Sequence, residues 1–527
     1  MIATLRGGAP GRQGSGWGIV TIRGAATAGD GASPEEARAF ADGLRSLLDW
    51  LHAPGAGVRN EVVAFVQETL GADGLAHSVV ARELAPFEHA NLQTALDAWT
   101  AQQGRRVEVH GVVLPPHFGG IELQQLMTGE GLPPVRLSAP AVVDLPNGPG
   151  STLACLRMAL LLVTDGDGRY LLLVQSPREH EQPVLRVEVA GLPVQRAQAV
   201  LAELDRLRRE LNVYRGRLVE VTPTPMGTVE LTFLDPPDLH RDDVVLPAAV
   251  LDRVERHALG VAEHRAGLRA AGQHLKRGLL LYGPPGTGKT HTVRYLLGRM
   301  EGYSRLLLTG RSLGVVGSVT ELARDLQPAV VVLEDVDLVA MDRSFGPGSS
   351  PVLFDLLDAM DGAAPDADLL FVLTTNRADL LEPALAARPG RIDVAVDVAL
   401  PDADARRRLL ELYGRAVPLR LSGDDVAEAV ERTEGVTASF LKELLRRAVL
   451  EALQEQEPLR EVTAAHLGRA LDDLLDSTQQ VTRTLLGVGG GGDGGEAGEG
   501  RPEDLGPGPQ PGWSAYRGSS RPHRHHR

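Results

Sequence analysis

A glycine-rich loop followed by Lys-Thr lies near the middle of the 527-residue chain, after the apolar run Leu279–Tyr282 and before a helical pattern that extends to Met300. The loop and its first following residue are Gly283, Pro284, Pro285, Gly286, Thr287, Gly288, Lys289, Thr290 and His291. Glycines let backbone amides turn towards a phosphate that side chains would block, and a helix N-terminus adds free N–H groups. Lys289 can reach the β and γ phosphates, and the Thr290 hydroxyl can bind Mg²⁺. The sequence therefore predicts a site for ATP or GTP.

Acidic and polar residues follow two further apolar runs of the strand type. Glu334, Asp335 and Asp337 follow Val330–Leu333, and Asn376 follows the run Leu369–Leu373 and two threonines. Ligands collect at the carboxyl edge of an open α/β sheet. Hydrolysis needs an acidic residue that faces the metal and a group that activates water. It also needs positive charge placed beside the phosphoryl group that is transferred. We therefore expect these side chains to complete a hydrolytic site beside the glycine loop.

Composition limits the function classes. The formal charge of −15 argues against a general nucleic-acid binder, which normally presents a basic face. Cys155 is the single cysteine, which excludes an internal disulfide framework and favours a reducing, cytoplasmic location. No signal peptide or membrane span is predicted, because the most apolar stretch, Leu153 to Val163, is short and contains Arg157.

The patterns divide the chain into six parts. We predict a flexible arm at 1–33, a helical subdomain at 34–104 with Trp99 in its core, and an α+β domain at 105–237. The nucleotide module follows at 244–400, then a helical subdomain at 401–478, and a disordered Gly/Pro-rich tail at 487–527.

Three local predictions concern the 105–237 domain. Asp165 and Asp167 are assigned to a hairpin turn in preference to a calcium loop, whose closing Glu is absent. Gln195 to Tyr214 is predicted as a helix with Leu211 among its inward residues, and strands at Arg217 to Val221 and Thr228 to Phe233 are expected to close the domain.

The nucleotide half resembles an AAA-type ATPase of the AAA+ superfamily. The resemblance covers a little under half of the chain, and its motifs occur in the family's order: GPPGTGKT, the acidic residues from Glu334, Met360-Asp-Gly362, the Thr-Thr-Asn strand end, Arg388-Pro-Gly-Arg391 and Leu400-Pro-Asp402. It implies an α/β fold with a parallel sheet flanked by helices and a small helical lid, preceded here by the α+β N-terminal region. It also implies ATP with Mg²⁺.

The resemblance assigns roles to single residues. Glu334 would face Mg²⁺ with Thr290, Asp335 would activate water, and Asn376 would orient it. Arg388 and Arg391 would reach the γ-phosphate of a neighbouring subunit, with the main finger left open between them. The order Glu334-Asp335 reverses the family's usual Asp-Glu.

An arginine supplied in trans requires a homo-oligomeric ring, most often a hexamer in this family. The lid would bring Gly435 to Ser439 near the adenine, with Val244 to Leu246 as its other wall. The segment Gly310 to Gly317, at the family's pore-loop position, lacks the aromatic residue that grips polypeptide.

We expect an ATP-hydrolysing ring that remodels a protein partner or adaptor selected by the N-terminal region, in a chaperone-like role. Two alternatives are a regulatory or scaffolding module that binds ATP with little hydrolysis, and a nucleic-acid motor, which the acidic charge disfavours. A zinc protease of the related membrane type is excluded because the chain has no HExxH motif.

Overall fold

The computed structural model describes residues 60–115, 120–129, 135–177, 184–225, 227–337, 367–377, 392–455 and 457–476, with short pieces at 4–7, 18–21, 42–43 and 132. The predicted arm at 1–33 lies mostly outside this range. The predicted tail at 487–527 lies outside it entirely. The two N-terminal pieces, β1 (Thr4–Gly7) and β2 (Gly18–Thr21), pair as an antiparallel hairpin.

The N-terminal region is built on a seven-stranded antiparallel sheet. Its strands are β3 (Val80–Leu84), β4 (Arg106–Val113), β5 (Arg136–Ser138), β6 (Ala141–Gly148), β7 (Ser151–Asp165), β8 (Gly168–Gln175) and β9 (Leu185–Ala190). They run in the order β3-β9-β8-β7-β4-β5, and β6 pairs with the first half of β7. Its helices are α1 (Glu61–Leu75), α2 (His89–Thr100), α3 (Leu123–Thr128) and α4 (Val194–Glu210).

Helices cover both faces of this sheet. Leu172 and Val174 of β8 share a core with α2 and α4, whereas Leu171 and Leu173 share a core with α1 and α3. Successive side chains of a strand point to opposite faces, so the continuous apolar run of β8 supplies both cores. Trp99 is completely buried in the first of them, as predicted.

Two predictions for this region are corrected. Of the separate subdomain predicted at 34–104, the described helices α1 and α2 pack on the sheet, and Val80–Leu84, which was not predicted, pairs with β9. Leu211, expected to face inward, is 41% exposed because α4 ends at Glu210. The Asp165–Asp167 hairpin is present, and the Asp165 carboxylate accepts hydrogen bonds from Tyr170 and Arg105.

A second seven-stranded sheet carries the glycine loop. Its strands are β10 (Leu218–Pro223), β11 (Val229–Leu234), β12 (Arg277–Tyr282), β13 (Ser304–Thr309), β14 (Ala329–Glu334), β15 (Leu369–Thr375) and β16 (Val394–Asp397). The order is β11-β10-β13-β14-β15-β12-β16, and every pairing except β10–β11 is parallel.

Helices flank this sheet on both faces, as predicted. They are α5 (Ala248–Glu255), α6 (Val261–Glu263), α7 (Arg265–Ala270), α8 (Lys289–Arg299) and α9 (Val316–Asp325). The apolar side of α9 packs on one face, and α5 with α8 pack on the other. None of the described helices is long and apolar enough to span a membrane.

The strands β10 and β11 correct the prediction that they close the N-terminal α+β domain. Leu218 to Val221 pair in parallel with Arg305 to Leu308, so both strands extend the nucleotide sheet. A strand pairing between residues so far apart in the chain leaves no local signal in the sequence. The chain that leaves the N-terminal region therefore enters the nucleotide sheet directly at β10, and the other boundaries of the predicted parts stay predictions.

Hydrogen bonds hold the junction of the two regions. The Tyr214 hydroxyl donates to the carbonyl of Phe87 at 2.9 Å, on the N-terminal side. The Arg215 guanidinium donates to the carbonyls of Asp325 and Gln327, both at 2.9 Å, on the nucleotide side. Tyr214 and Arg215, which are neighbours in the chain, thus attach the connecting segment to the N-terminal region and to the nucleotide module, respectively.

The lid contains α10 (Ala403–Gly414), α11 (Gly423–Arg432), α12 (Ala438–Glu455) and α13 (Ala464–Leu475), with the short pair β17 (Leu419–Arg420) and β18 (Val462–Thr463). Its core is formed mainly by leucines and alanines of α10 to α13. Val245 packs against that core, while Val244 and Leu246 belong to the core of the large sheet. This segment therefore bridges the lid and the nucleotide sheet.

Candidate nucleotide site

Three glycines of the loop have backbone conformations that other residues disfavour. Gly283, Gly286 and Gly288 have φ of 143°, 78° and 108°, which L side chains rarely adopt. A Cβ at Gly283 would lie 2.4 Å from the carbonyl oxygen of Val398. Helix α8 begins at Lys289, so its first amides open onto the loop. The backbone amides of the loop can bind an anion there, because its glycines leave free the space that a side chain would fill.

Lys289 is buried beneath the loop, with 6% of its surface exposed. Its ammonium group donates to the carbonyls of Gly283 and Pro284, each at 2.8 Å. Burial lowers the pKa of Lys289, and the charges of Asp335 and Asp337 oppose that shift. A phosphate would supply an anionic hydrogen-bond acceptor, which this buried cation does not have among the described residues.

Glu334 ends β14 beside Thr290, and the Thr290 side chain forms a hydrogen bond with its carboxylate. Burial raises the pKa of Glu334, and the nearby charge of Asp335 raises it further. A hydroxyl and a carboxylate side by side are the protein ligands that Mg²⁺ takes in nucleotide sites, where phosphate oxygens and water complete its shell. The two residues fit an Mg²⁺–nucleotide complex.

Asp335 has an unusual backbone conformation. Its φ of 52° makes it the non-glycine residue with positive φ in the described part of the chain. Its amide donates to the Thr374 hydroxyl at 3.0 Å, and the next amide, of Val336, donates to the Thr374 carbonyl at 3.0 Å. Strained backbone of this kind persists where the surroundings hold it, commonly at functional sites.

The structure brings Asp335 and Asn376 together. The Asn376 amide nitrogen lies 3.4 Å from a carboxylate oxygen of Asp335. Asp337, 5% exposed, accepts hydrogen bonds from the Thr375 hydroxyl and the Asn376 backbone amide, at 3.0 and 3.1 Å. The carboxyl ends of β14 and β15 are thus fixed to each other, and a carboxylate and an amide face the same space.

The lid approaches the glycine loop directly. The backbone amide of Ser439 donates to the carbonyl of Gly286 at 3.1 Å. A Cβ at Gly286 would lie 2.9 Å from the Ser439 hydroxyl and 3.1 Å from that of Thr437. The Gly435–Ser439 segment was predicted to approach the nucleotide site, and these contacts of Thr437 and Ser439 place it beside the glycine loop.

His291 is exposed, and its ring contacts the backbone carbonyl of Asp243 at 2.9 Å. The Asp243 carboxylate accepts a hydrogen bond from Arg415 of the lid at 2.8 Å. Asp243 therefore links the start of α8 to the lid. The His291 side chain contacts this connection, whereas its backbone belongs to the first turn behind the loop.

The segment at the predicted pore-loop position is largely packed inward. Gly310–Val315 forms a 3₁₀ turn that leads into α9. Leu313 and Val316 are 2% and 1% exposed and belong to the sheet core, and Val315 packs against that core. The two valines thus pack against the sheet instead of projecting into solvent.

Arg388 and Arg391 lie outside the described residues, as does the Met360 to Gly362 motif. Their predicted roles in trans stay predictions.

Comparison with known proteins agrees with this geometry. The model of the ATPase family associated with various cellular activities (AAA) matches residues 279–400. A proteasome-activating nucleotidase of Pyrococcus horikoshii is 30% identical over 285 residues, which cover 51% of this chain and 70% of that protein. The chain belongs to the AAA ATPase family. ATP hydrolysis is the activity of this family, so the predicted ATPase class is confirmed at that level.

Other relatives share a smaller part of their length with this AAA protein. An ATP-dependent zinc metalloprotease FtsH of Cutibacterium acnes is 31% identical over 234 residues, which are 42% of this chain and 32% of the relative. A cell division cycle protein 48 homologue of Archaeoglobus fulgidus is 29% identical over 278 residues, which are 51% and 37% of the two chains.

Three features of the site were not predicted. They are the positive φ of Asp335, the binding of Asp337 to the end of β15, and the link from Asp243 to the lid. Asp tolerates positive φ better than most residues, so the Glu-Asp-Val-Asp sequence allowed the first without requiring it. The other two depend on residues far apart in the chain.

Proposed function

We propose that the protein is an ATP-hydrolysing AAA ring, most simply a hexamer, that remodels a protein partner selected by its N-terminal region. The observation that carries the hydrolytic part is the Asp335–Asn376 pair, 3.4 Å apart, at the sheet edge that also holds Lys289 and the Thr290–Glu334 pair. The single cysteine supports a cytoplasmic location.

Each residue of the site would have a role that follows from its position. The glycine-loop amides and Lys289 would bind the phosphates, and Thr290 with Glu334 would hold Mg²⁺. When bound, Mg²⁺ neutralises charge that develops on the phosphate oxygens. Asp335 would accept the proton of the attacking water at its carboxylate, while the Asn376 amide orients that water and holds the carboxylate in place.

The ring is proposed from the two arginines. Arg388 and Arg391 would supply positive charge to the γ-phosphate held by a neighbouring subunit, and such an arginine is worth about 10³ to 10⁵ in rate. Turnover would then require assembly, because an isolated subunit lacks this charge.

A protein partner is supported by two observations. The matched relatives include a proteasome-activating nucleotidase and a zinc metalloprotease. The N-terminal region has two cores of its own and hydrogen bonds that anchor it to the end of α9 and the loop that follows in the nucleotide module. Binding of a partner to this region can therefore affect the ATPase site.

The decisive experiment measures ATP turnover per subunit in the assembled protein. The Lys289→Ala and Asp335→Asn variants are expected to lose most of their turnover, by about 100-fold or more for Asp335→Asn. The matched control is Lys442→Ala, which replaces an exposed lysine on α12. If both site variants hydrolyse ATP at the wild-type rate, the site is misplaced. If the wild-type assembly binds ATP but hardly hydrolyses it, the protein is a nucleotide-dependent scaffold.

A further inference from the structure

A cavity of about 750 Å³ lies between the N-terminal region and the β10–β11 hairpin. None of the described residues proposed for ATP binding or hydrolysis lines it. Its walls are the strand β11, the tip of the β6–β7 hairpin, and the 3₁₀ turn Pro86–Glu88 with Tyr214. Specific ligand sites in proteins have volumes of roughly 300–1,000 Å³, so the cavity is large enough for a ligand or a peptide segment.

The cavity runs along the edge of β11. Five consecutive residues, Val229 to Phe233, line it. Because successive side chains of a strand point to opposite faces, a cavity on one face of the sheet would contact only alternate residues. Contact with all five places the cavity beside the strand.

That edge has backbone groups available for pairing. β11 is the last strand in the sheet order, and no strand of the described part of the chain pairs with its outer side. The amide of Thr224 donates to the carbonyl of Thr228, which identifies that pair as hydrogen-bonded. By the alternation of an antiparallel ladder, the N–H and C=O groups of Val229, Leu231 and Phe233 point away from β10.

The other walls are mainly apolar, and the charge that lines the cavity is negative. Phe87, Leu145 and Pro146 face β11 across the cavity, and Glu230 is the one charged residue among the described residues that line it. Phe87 and Phe233 both lie against the Tyr214 ring, with ring centroids 6.4 and 5.2 Å from it. The cavity thus combines an open strand edge, apolar side walls and a single negative charge.

We propose that this cavity binds an extended peptide segment of a protein partner, which pairs with β11 as an added strand and places a Lys or Arg beside Glu230. Strand addition uses the backbone groups for affinity and the flanking pockets for side-chain selection. This inference rests on the proposed function in that it names how a protein partner is engaged. A small apolar ligand would leave the donors and acceptors of the strand edge unpaired.

The position of β11 gives the bound peptide a route to the ATPase site. β11 pairs with β10, β10 with β13, and β13 with β14, whose last residue is Glu334. A peptide added at β11 would therefore extend the same sheet that carries the Mg²⁺-facing carboxylate.

Binding can be tested with two short fluorescein-labelled peptides of alternating Val and Thr, one with a central Lys and one with a central Glu. Fluorescence anisotropy with the assembled full-length protein should show saturable binding, tighter for the Lys peptide by about threefold, as expected for a partly exposed ion pair. Glu230→Lys should reverse the preference. Failure of both peptides to bind the wild-type protein, or an unchanged preference in Glu230→Lys, would overturn the inference.

A cavity-filling variant separates this site from general surface binding. Thr152→Trp, at the exposed tip of the β6–β7 hairpin, should weaken the binding of both peptides at least about tenfold, because the indole ring would occupy part of the cavity. Thr164→Trp, an exposed threonine at the far end of the same strand, is the matched control and should bind as wild type. Equal binding by both variants would place the peptides elsewhere.

Residue-resolved hydrogen exchange reports the pairing itself. The bound Lys peptide should slow exchange at the amides of Val229, Leu231 and Phe233, with smaller changes at Glu230 and Thr232, which already face β10. Equal or absent protection would contradict strand addition. A protein that binds these peptides as described but turns over no ATP contradicts the proposed function alone. One that hydrolyses ATP but binds neither peptide contradicts this inference alone.

Discussion

Asp335→Asn is the substitution that separates the chemistry of the site from its architecture. The backbone at this position has φ of 52°, which Asn tolerates as readily as Asp. The side-chain oxygen of Asn can still accept the hydrogen bond of Asn376, and the bonds from the backbone to Thr374 are unaffected. The variant loses a proton acceptor and one negative charge, and little else.

The size of the effect follows from these contacts. Removing a general base costs about 10²- to 10⁴-fold in rate, which corresponds to about 2.7–5.4 kcal/mol of activation free energy. The charge of Asp335 raises the pKa of Glu334. Its removal therefore favours ionised Glu334, and the affinity for Mg²⁺-ATP should be retained or increased.

The assay is steady-state ATP turnover together with the Kd of a fluorescent ATP analogue and the melting temperature. We expect kcat to fall by the stated factor, with an unchanged or lower Kd and an unchanged melting temperature. Asp335→Ala is the contrasting variant: it should also lower the melting temperature, because Ala at positive φ costs about 1–2 kcal/mol. If Asp335→Asn keeps more than about one tenth of the wild-type kcat, below the loss expected on removing a general base, Asp335 is not the base.

Three further predictions concern the lid, the junction and the pH dependence. Gly286→Ala should strain the backbone by about 1–2 kcal/mol and push Ser439 away; weaker ATP binding in calorimetry is expected, with Gly314→Ala, which has open space around it, as the control. Arg215→Ala removes hydrogen bonds across the junction and should lower the free energy of unfolding by about 1–3 kcal/mol in urea denaturation; an unchanged midpoint would show that these bonds contribute nothing net. Because burial raises the pKa of Glu334 above its ordinary value of 4.5, the ionised form is lost as pH falls through a value above 4.5. Mg²⁺-ATP affinity should decline there, and a Glu334→Gln variant with the same decline would assign it to another group.

The sequence predicted the composition of the site because parallel strands end at one edge of their sheet. The acidic residues after β14 and Asn376 after β15 were each recognised from an apolar run followed by polar residues. The structure places Asn376 within 3.4 Å of Asp335 because β14 and β15 are neighbours in register. Periodicity and strand ends were sufficient for this part.

The N-terminal half shows where the same reasoning fails. β10 and β11 have ordinary strand patterns, so they were assigned to the nearest domain in the chain. The partner of β10, β13, begins more than eighty residues after β10 ends, and the pairing depends on backbone hydrogen bonds that any sequence can make. The strand Val80–Leu84, with charged Arg82 and Glu83, lacks the apolar run that marks a central strand, because it lies at the edge of its sheet.

The sequence by itself determined the ligand class, the family and the residues at the strand ends, since these depend on local spacing and on glycine, lysine and carboxylate chemistry. Only the tertiary structure decided that β10 and β11 join the nucleotide sheet, how Ser439 of the lid reaches Gly286, and where an open strand edge faces a cavity. These features depend on which distant segments pack together, and packing between distant segments is a property of the whole chain.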